Sequence, residues 1–232
     1  MWYNHAMDIN NTLYTLNTNI FNDTGLYEDI YSQLPKPRQE KIDRFRFEND
    51  KKLSLGAGYL LKRALEEIGI NDFTLEYRQR EKPYIAGHSD VFFNLSHSGE
   101  MACLALSGSE VGVDIEKETH FKDNHLNYVF SEKDLSLAKD LMDMWKLSED
   151  QIFTRLWTVK ESIMKYSGAG IALAPKKILL SRSSLSQDKC CFEAFSEGFD
   201  CSDLTISCYD IPGYQLSVCS KYDNFTIKQG SV

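Results

Sequence analysis

The chain has 232 residues, a hydrophobic fraction of 42% and a formal net charge of −8; this suits one or two domains with a real core and excludes a general nucleic-acid binder, whose surface must neutralise phosphates. No apolar run is long enough to cross a bilayer, and Met1 to Asn10 lacks the basic start and apolar centre of a signal peptide, so neither a membrane span nor secretion is expected. The six cysteines (Cys103, Cys190, Cys191, Cys201, Cys208 and Cys219) show no CxxC spacing, so they read as reduced, buried thiols of a cytoplasmic protein.

Thr12 to Leu16 alternates weakly as a first strand, and Tyr27 to Leu34 reads as a short helix that stops before Pro35. Pro35 to Phe45 opens a second helix, within a basic run made of Lys36, Arg38, Lys41, Arg44, Arg46, Lys51 and Lys52. Asn49 to Glu67 is the best helix of the first half: Leu53, Ala57, Leu60, Ala64 and Ile68 form one stripe, and Gly69 is placed to end it. Phe73, Leu75 and Tyr77 alternate as a strand, and a loop over residues 78–87 contains Lys82-Pro83. Three strands follow in quick succession: Val91 to Leu95, Met101 to Leu106, and one beginning at Val111. Their tight turns predict an antiparallel meander.

The third of these strands is the most informative. In Val111-Gly112-Val113-Asp114-Ile115-Glu116-Lys117, Val111, Val113 and Ile115 point one way, while Gly112, Asp114 and Glu116 point the other. Two carboxylates on one face repel each other unless a cation sits between them. A hard divalent ion such as Mg²⁺, which prefers oxygen ligands, is one reading; a solvated acidic face is the other.

Ser131-Glu132-Lys133-Asp134 resembles a capping box, in which the side chains at either end satisfy free backbone N–H groups at a helix start. Further on, Ile152, Leu156, Val159 and Ile163 form the apolar stripe of a helix closed by Gly168 and Gly170. Glu161 and Lys165 lie four apart on one face, near Trp157 on the turn before. They are an ordinary ion pair on an amphipathic helix, or else a third carboxylate with phosphate-binding lysines beside it. Trp157 reads first as a core residue packed behind Glu161. Strand-like segments then follow at Ile178 to Leu180, Leu204 to Tyr209, Gln215 to Cys219 and Asn224 to Ile227, with a polar loop at residues 181–189. The pattern predicts an α+β protein of two similar subdomains, each with helices packed on a small antiparallel sheet. The boundary falls between 1–109 and 110–232.

Three stretches, Phe93-Asn94-Leu95-Ser96-His97-Ser98, then Gly112 to Lys117, then Trp157 to Lys165, stand in a fixed order. Together they resemble the Sfp-type 4′-phosphopantetheinyl transferases. The resemblance covers roughly residues 34–181. It implies two subdomains related by a pseudo-twofold axis, a monomeric state, and the coenzyme A adenine and 3′-phosphate on the side of the first subdomain. The implied activity is Mg²⁺-dependent transfer of the phosphopantetheine arm of coenzyme A to a serine of an acyl, peptidyl or polyketide carrier protein (holo-acyl-carrier-protein synthase activity), with release of adenosine 3′,5′-bisphosphate.

The resemblance also implies roles. Asp114, Glu116 and Glu161 correspond to metal ligands, and Glu161 is ligand, serine base or both. His97 corresponds to a charged donor beside the coenzyme A phosphates, with Ser96 next to it. Lys165 is the stronger phosphate candidate, and Lys160 is either a phosphate ligand or solvent-facing. Lys82 and Pro83 correspond to a loop near the adenine, Arg38 and Lys41 to basic residues at the 3′-phosphate, and Ser54 to a small hydroxyl residue there. The segment with Leu126, Tyr128, Val129 and Phe130 corresponds to a carrier-docking surface, or is plain core. Two departures stand out: Glu81 where a glycine is usual before the lysine-proline, and Arg38 where lysine would be unsurprising. Rival readings are a metal-dependent phosphohydrolase of coenzyme A or a nucleotide, and a non-catalytic carrier-protein binder.

Overall fold

The computed structural model describes residues 9–77, 82–182, 190–197 and 199–230. Glu81 and most of the polar loop after Ser181 lie outside the described residues.

The first half begins with β1 (Thr12–Asn17), α1 (Thr24–Gln33), α2 (Lys36–Asp43) and α3 (Glu48–Glu67). Pro35 separates α1 from α2, as a proline that disfavours helix in the residue before it should. Helix α3 buries Leu53, Ala57, Leu60 and Ala64, and the chain turns at Gly69 with φ of +84°, a conformation that costs glycine nothing. The short hairpin β2 (Leu75–Tyr77) and β3 (Pro83–Ile85) follows, then β4 (Phe92–Ser98), β5 (Met101–Ser107) and β6 (Val111–Lys117).

The second half continues with α4 (Asp123–Val129), α5 (Glu132–Trp145) and α6 (Glu149–Ser167). The capping box at Ser131 and Asp134 starts α5, and a second one at Ser148 and Gln151 starts α6. Then come β7 (Ile178–Arg182), β8 (Cys190–Ser196), β9 (Thr205–Ile211), β10 (Tyr214–Ser220) and β11 (Thr226–Gln229).

Two sheets form the frame, ordered β11-β1-β5-β4 and β6-β10-β9-β8-β7. The first packs against α3 around Leu16, Leu55, Leu60 and Leu104. The second packs against α6 around Ile152, Leu156, Val159 and Ile163. Each half is thus a long helix laid on a mainly antiparallel sheet. The expected meander is corrected: β4 and β5 form a hairpin, but the second edge of β5 is taken by β1, and β6 leaves to pair with β10. The last strand also departs from simple order, because β11 crosses back and runs parallel to β1 at the edge of the first sheet.

The sheets meet edge to edge at β4 and β6, joined by side chains in place of a ladder. Asn94 Oδ1 accepts from the Val113 N–H at 3.0 Å, and Ser98 Oγ accepts from the Lys117 N–H at 3.2 Å. Those backbone donors would otherwise be unsatisfied at a strand edge. Behind the joint, Val111, Val113 and Ile115 are buried with Leu13, Leu216 and Val218.

Candidate active site

Alternation along β6 sends Gly112 and Asp114 to the α6 side of the strand. A Cβ on Gly112 would lie 2.1 Å from the Ser162 carbonyl oxygen and 2.4 Å from the Tyr166 nitrogen. Only glycine lets the helix backbone come this close, and the close approach puts Glu161 and Lys165 opposite Asp114. Alternation along β4 sends Asn94, Ser96 and Ser98 to one face, so the same residues that join the sheets also reach the carboxylates.

A network results. Lys165 Nζ donates to Asp114 Oδ1 at 2.6 Å and to Ser96 Oγ at 2.8 Å, and Ser96 Oγ donates to Asp114 Oδ1 at 2.7 Å. Ser98 Oγ donates to Glu116 Oε2 at 2.6 Å. Asp114 is 2% exposed, and its other oxygen, Oδ2, is buried without a hydrogen-bond partner. Such an orphan is costly unless a ligand completes it.

Ser96, Asp114, Glu116, Glu161 and Lys165 line a cavity between the two halves, together with Arg38, Lys41, Ser54, Pro83, Asn94, Leu95 and His97. Residues nearly 130 positions apart in the chain, from Arg38 to Lys165, therefore share one space. Ser54 Oγ is a second buried polar atom without a partner, and so is Arg38 Nε, while the Arg38 guanidinium donates to the Ser54 carbonyl at 2.5 Å.

The electrostatics are uneven. Burial, and then the Asp114 charge, push the Glu161 carboxyl up to about 7, with Lys165 pulling the other way. Burial and Asp114 also raise Glu116, opposed by Ser98, Lys165 and a hydrogen bond from Trp157. Lys165 is held above its ordinary value because Asp114 outweighs the burial that opposes its charge. His97 lies below its ordinary value: partial loss of water around the ring comes first, then repulsion from Lys165, Arg38 and Lys41. These neighbouring cations disfavour the charged imidazole, and a bound anion would favour it.

Whether the site suits a divalent cation can be judged from its donors. Among the described residues no group of three or more His, Cys, Asp or Glu side chains is already arranged around a metal position. Yet three carboxylates face one cavity, one of them has a buried unpartnered oxygen, and two have raised pKa values. An all-oxygen donor set with unbalanced negative charge is of the kind a hard ion such as Mg²⁺ takes.

Two expected residues are placed elsewhere. Lys82 faces a neighbouring cavity, where its ammonium pairs with Glu110 and donates to the carbonyls of Val111 and Tyr166. Lys160 neither reaches the cavity nor faces solvent: it is fully buried and paired with Asp134 at 2.7 Å. Burial lowers its pKa and Asp134 opposes that shift. Its position gave a signal, since Lys160 lies four residues after Leu156 and three before Ile163, at the border of the apolar stripe. Trp157 packs against the core of the second half, close enough to Glu116 to oppose the rise of its pKa. His125 packs edge-on to Trp157 at 6.0 Å and stacks on Phe121 at 5.1 Å. Val129 and Phe130 are core, while Tyr128 is 60% exposed.

Two family models match adjoining parts of the chain. One, described as the N-terminal part of 4′-phosphopantetheinyl transferase, spans residues 24–109; the other, described as the 4′-phosphopantetheinyl transferase superfamily, spans residues 110–219. The chain belongs to the 4′-phosphopantetheinyl transferase superfamily. The 4′-phosphopantetheinyl transferase Sfp of Bacillus subtilis (strain 168) is 28% identical over 204 residues, which is 85% of this chain and 87% of that relative. HetI of Nostoc sp. is 29% identical over 62% of this chain and 64% of its own length. The L-aminoadipate-semialdehyde dehydrogenase-phosphopantetheinyl transferase of Xenopus laevis is 27% identical over 65% of this chain and 54% of its own length.

Proposed function

We propose that the protein transfers the 4′-phosphopantetheine arm of coenzyme A to a serine hydroxyl of an acyl, peptidyl or polyketide carrier protein, releasing adenosine 3′,5′-bisphosphate. The observation that supports this most is the one cavity in which the cations Arg38, Lys41 and Lys165 meet the carboxylates Asp114, Glu116 and Glu161. A site that binds a diphosphate and also takes a proton needs both kinds of group.

In this reading Arg38, Lys41 and Ser54 receive the 3′-phosphate, with Pro83 near the adenine. The unpartnered Ser54 Oγ and Arg38 Nε support that assignment. Lys165 and His97 face the diphosphate, and a bound polyanion brings the imidazole back toward its charged form. Asp114, Glu116 and Glu161 would hold Mg²⁺, which when bound neutralises the diphosphate and makes the departing bisphosphate less basic. Glu161 takes the serine proton as the serine oxygen bonds to the pantetheine-side phosphorus and the bond to the bridging oxygen breaks.

A monomer of two subdomains, 1–109 and 110–232, accords with a cavity lined from both halves of one chain, with β11 running back to the edge of the first sheet. A cytoplasmic setting accords with the free, buried thiols of Cys103, Cys201, Cys208 and Cys219. Among the described residues no helix is long and apolar enough to cross a membrane.

The test is intact-protein mass spectrometry of an apo acyl or peptidyl carrier protein mixed with this protein, coenzyme A and Mg²⁺, beside a chelator control. The expected result is a carrier heavier by one phosphopantetheine, only when Mg²⁺ is present. Consumption of coenzyme A with the carrier unmodified would instead point to a hydrolase.

A further inference from the structure

Lys160 is the most thoroughly buried cation in the described structure, and the reaction proposed above gives it no task. Its side chain and that of its partner Asp134 are both 0% exposed. The ammonium donates to Asp134 Oδ2 at 2.7 Å, to the Ile178 carbonyl at 2.8 Å, to the Pro175 carbonyl at 2.9 Å and to the Val129 carbonyl at 3.3 Å. The Phe130 ring covers it at 5.5 Å from the centroid. Two stretches of chain thus converge on one point: residues 129–134, from the end of α4 to the first turn of α5, and residues 175–178, from the one-turn helix Pro175–Lys177 to the start of β7.

Asp134 is committed on its own side. Its Oδ2 also accepts from the Ser131 N–H and hydroxyl, both at 2.8 Å, and its Oδ1 accepts from the Leu180 N–H at 3.4 Å. The pair therefore cannot rotate away from α6 without undoing the start of α5 and the edge of the second sheet. A buried ion pair contributes little net stability compared with an apolar replacement. What it does supply is direction, because a charge with four acceptors has one position.

That direction matters because of helix geometry. Successive residues of an α-helix are about 100° apart around its axis. An anchor at Lys160 therefore sets the angle at which the next residue, Glu161, and Lys165 one turn on, leave the helix. On another side, the helix backbone at Ser162 and Tyr166 rests on Gly112. The helix is gripped from two directions, and Glu161 and Lys165 project into the cavity between them.

We infer that Lys160 is a positioning residue: through Asp134 and three backbone carbonyls it fixes the rotation of α6, and so the placement of Glu161 and Lys165 against Asp114. This rests on the transferase reading for its kinetic consequence, but not for its structural one. It departs from the phosphate-binding role that the sequence resemblance implied for this lysine.

The test compares wild type, Lys160→Met, and Lys160→Met combined with Asp134→Asn. The second change removes the charge left unpaired by the first and keeps an acceptor for the helix cap. Three quantities are read: Tm, the kcat and coenzyme A KM of carrier modification per folded molecule, and the carboxyl ¹³C resonance of Glu161 at fixed pH. We expect the single variant to lose Tm and the double variant to regain part of it. In both variants kcat falls about tenfold or more, as for a modest misplacement of reacting groups, KM stays within about twofold, and the Glu161 resonance moves. Recovery of kcat in step with Tm would overturn the inference, leaving only a stabilising pair. A raised KM with kcat unchanged would overturn it in favour of a phosphate contact. If wild type modifies no carrier, the transferase reading falls, and the resonance decides alone: moved in the double variant, it upholds the positioning role; unmoved, it refutes it.

Discussion

Helix α6 carries two lysine–aspartate pairs, and they are built to opposite plans. Lys160 and Asp134 are sealed from water, and every oxygen of the aspartate has a donor. Lys165 and Asp114 stand at a cavity, with one aspartate oxygen unpartnered and two further carboxylates nearby. The first pair is electrically complete and can take on no ligand. The second leaves charge unbalanced, and that imbalance is what a metal and a diphosphate could relieve. A saturated buried pair marks architecture, whereas an unsaturated one at a cavity marks chemistry.

The contrast is broken most severely at Glu161. Glu161→Gln should lower carrier modification by about a thousandfold, the scale of a lost general base, while its circular dichroism stays native. The same variant should be more heat-stable than wild type at pH 8 without metal. The sign follows from the raised pKa: a group that binds its proton more tightly when folded contributes stability fully present below its ordinary value of 4.5 and lost as pH rises through about 7. Wild-type Tm measured without metal should therefore fall between those values, Mg²⁺ should reduce the fall, and the glutamine variant should lack this component. A glutamine variant with the wild-type Tm–pH curve would show that Glu161 does not carry the raised pKa.

The two pairs can next be set against each other directly. Lys160→Met strands a sealed aspartate charge and should cost about 3–5 kcal/mol in urea unfolding. Lys165→Met strands one that water can reach through the cavity, and should cost about 1–3 kcal/mol while removing more of the transfer activity. Equal costs would erase the distinction between closed and open pairs.

A smaller effect is expected at the contact that holds the open pair together. Gly112→Ala places a methyl group against the α6 backbone, which has no side chain to swing aside. The helix must shift, and a displacement of about 1 Å should reduce kcat about a hundredfold, with a stability loss of about 1–3 kcal/mol. The mildest change, Ser98→Ala, removes one donor to Glu116 and should cost about 1 kcal/mol, read as a rise of under tenfold in the Mg²⁺ concentration needed for half-maximal rate.

Much of this was legible in the amino-acid order because it rests on local periodicity. The period-two pattern of β6, the 3.6-residue stripe of α6 and the capping box at Ser131 each describe neighbours in sequence, and each formed as expected. Period-two spacing also put Asp114 and Glu116 on one strand face, and the family resemblance singled out Glu161 beside them. What was not legible depends on who fills an edge or a core. The meander failed because β1, distant in sequence, took the edge of β5 first. Nor was it legible that Glu110 and two backbone carbonyls would receive the Lys82 ammonium.

Sequence by itself therefore determined the class of the protein, most of its helices and strands, and the carboxylates and cations of the candidate site. Tertiary structure alone decided which way each charge turns. It sent Lys165 to the cavity and Lys160 to the interior, although both stand in one short motif on one helix. The physical reason is that a buried ammonium must be given acceptors. Only the assembled fold, with Asp134 and the Val129, Pro175 and Ile178 carbonyls gathered behind α6, supplies them to one lysine and leaves the other for the site.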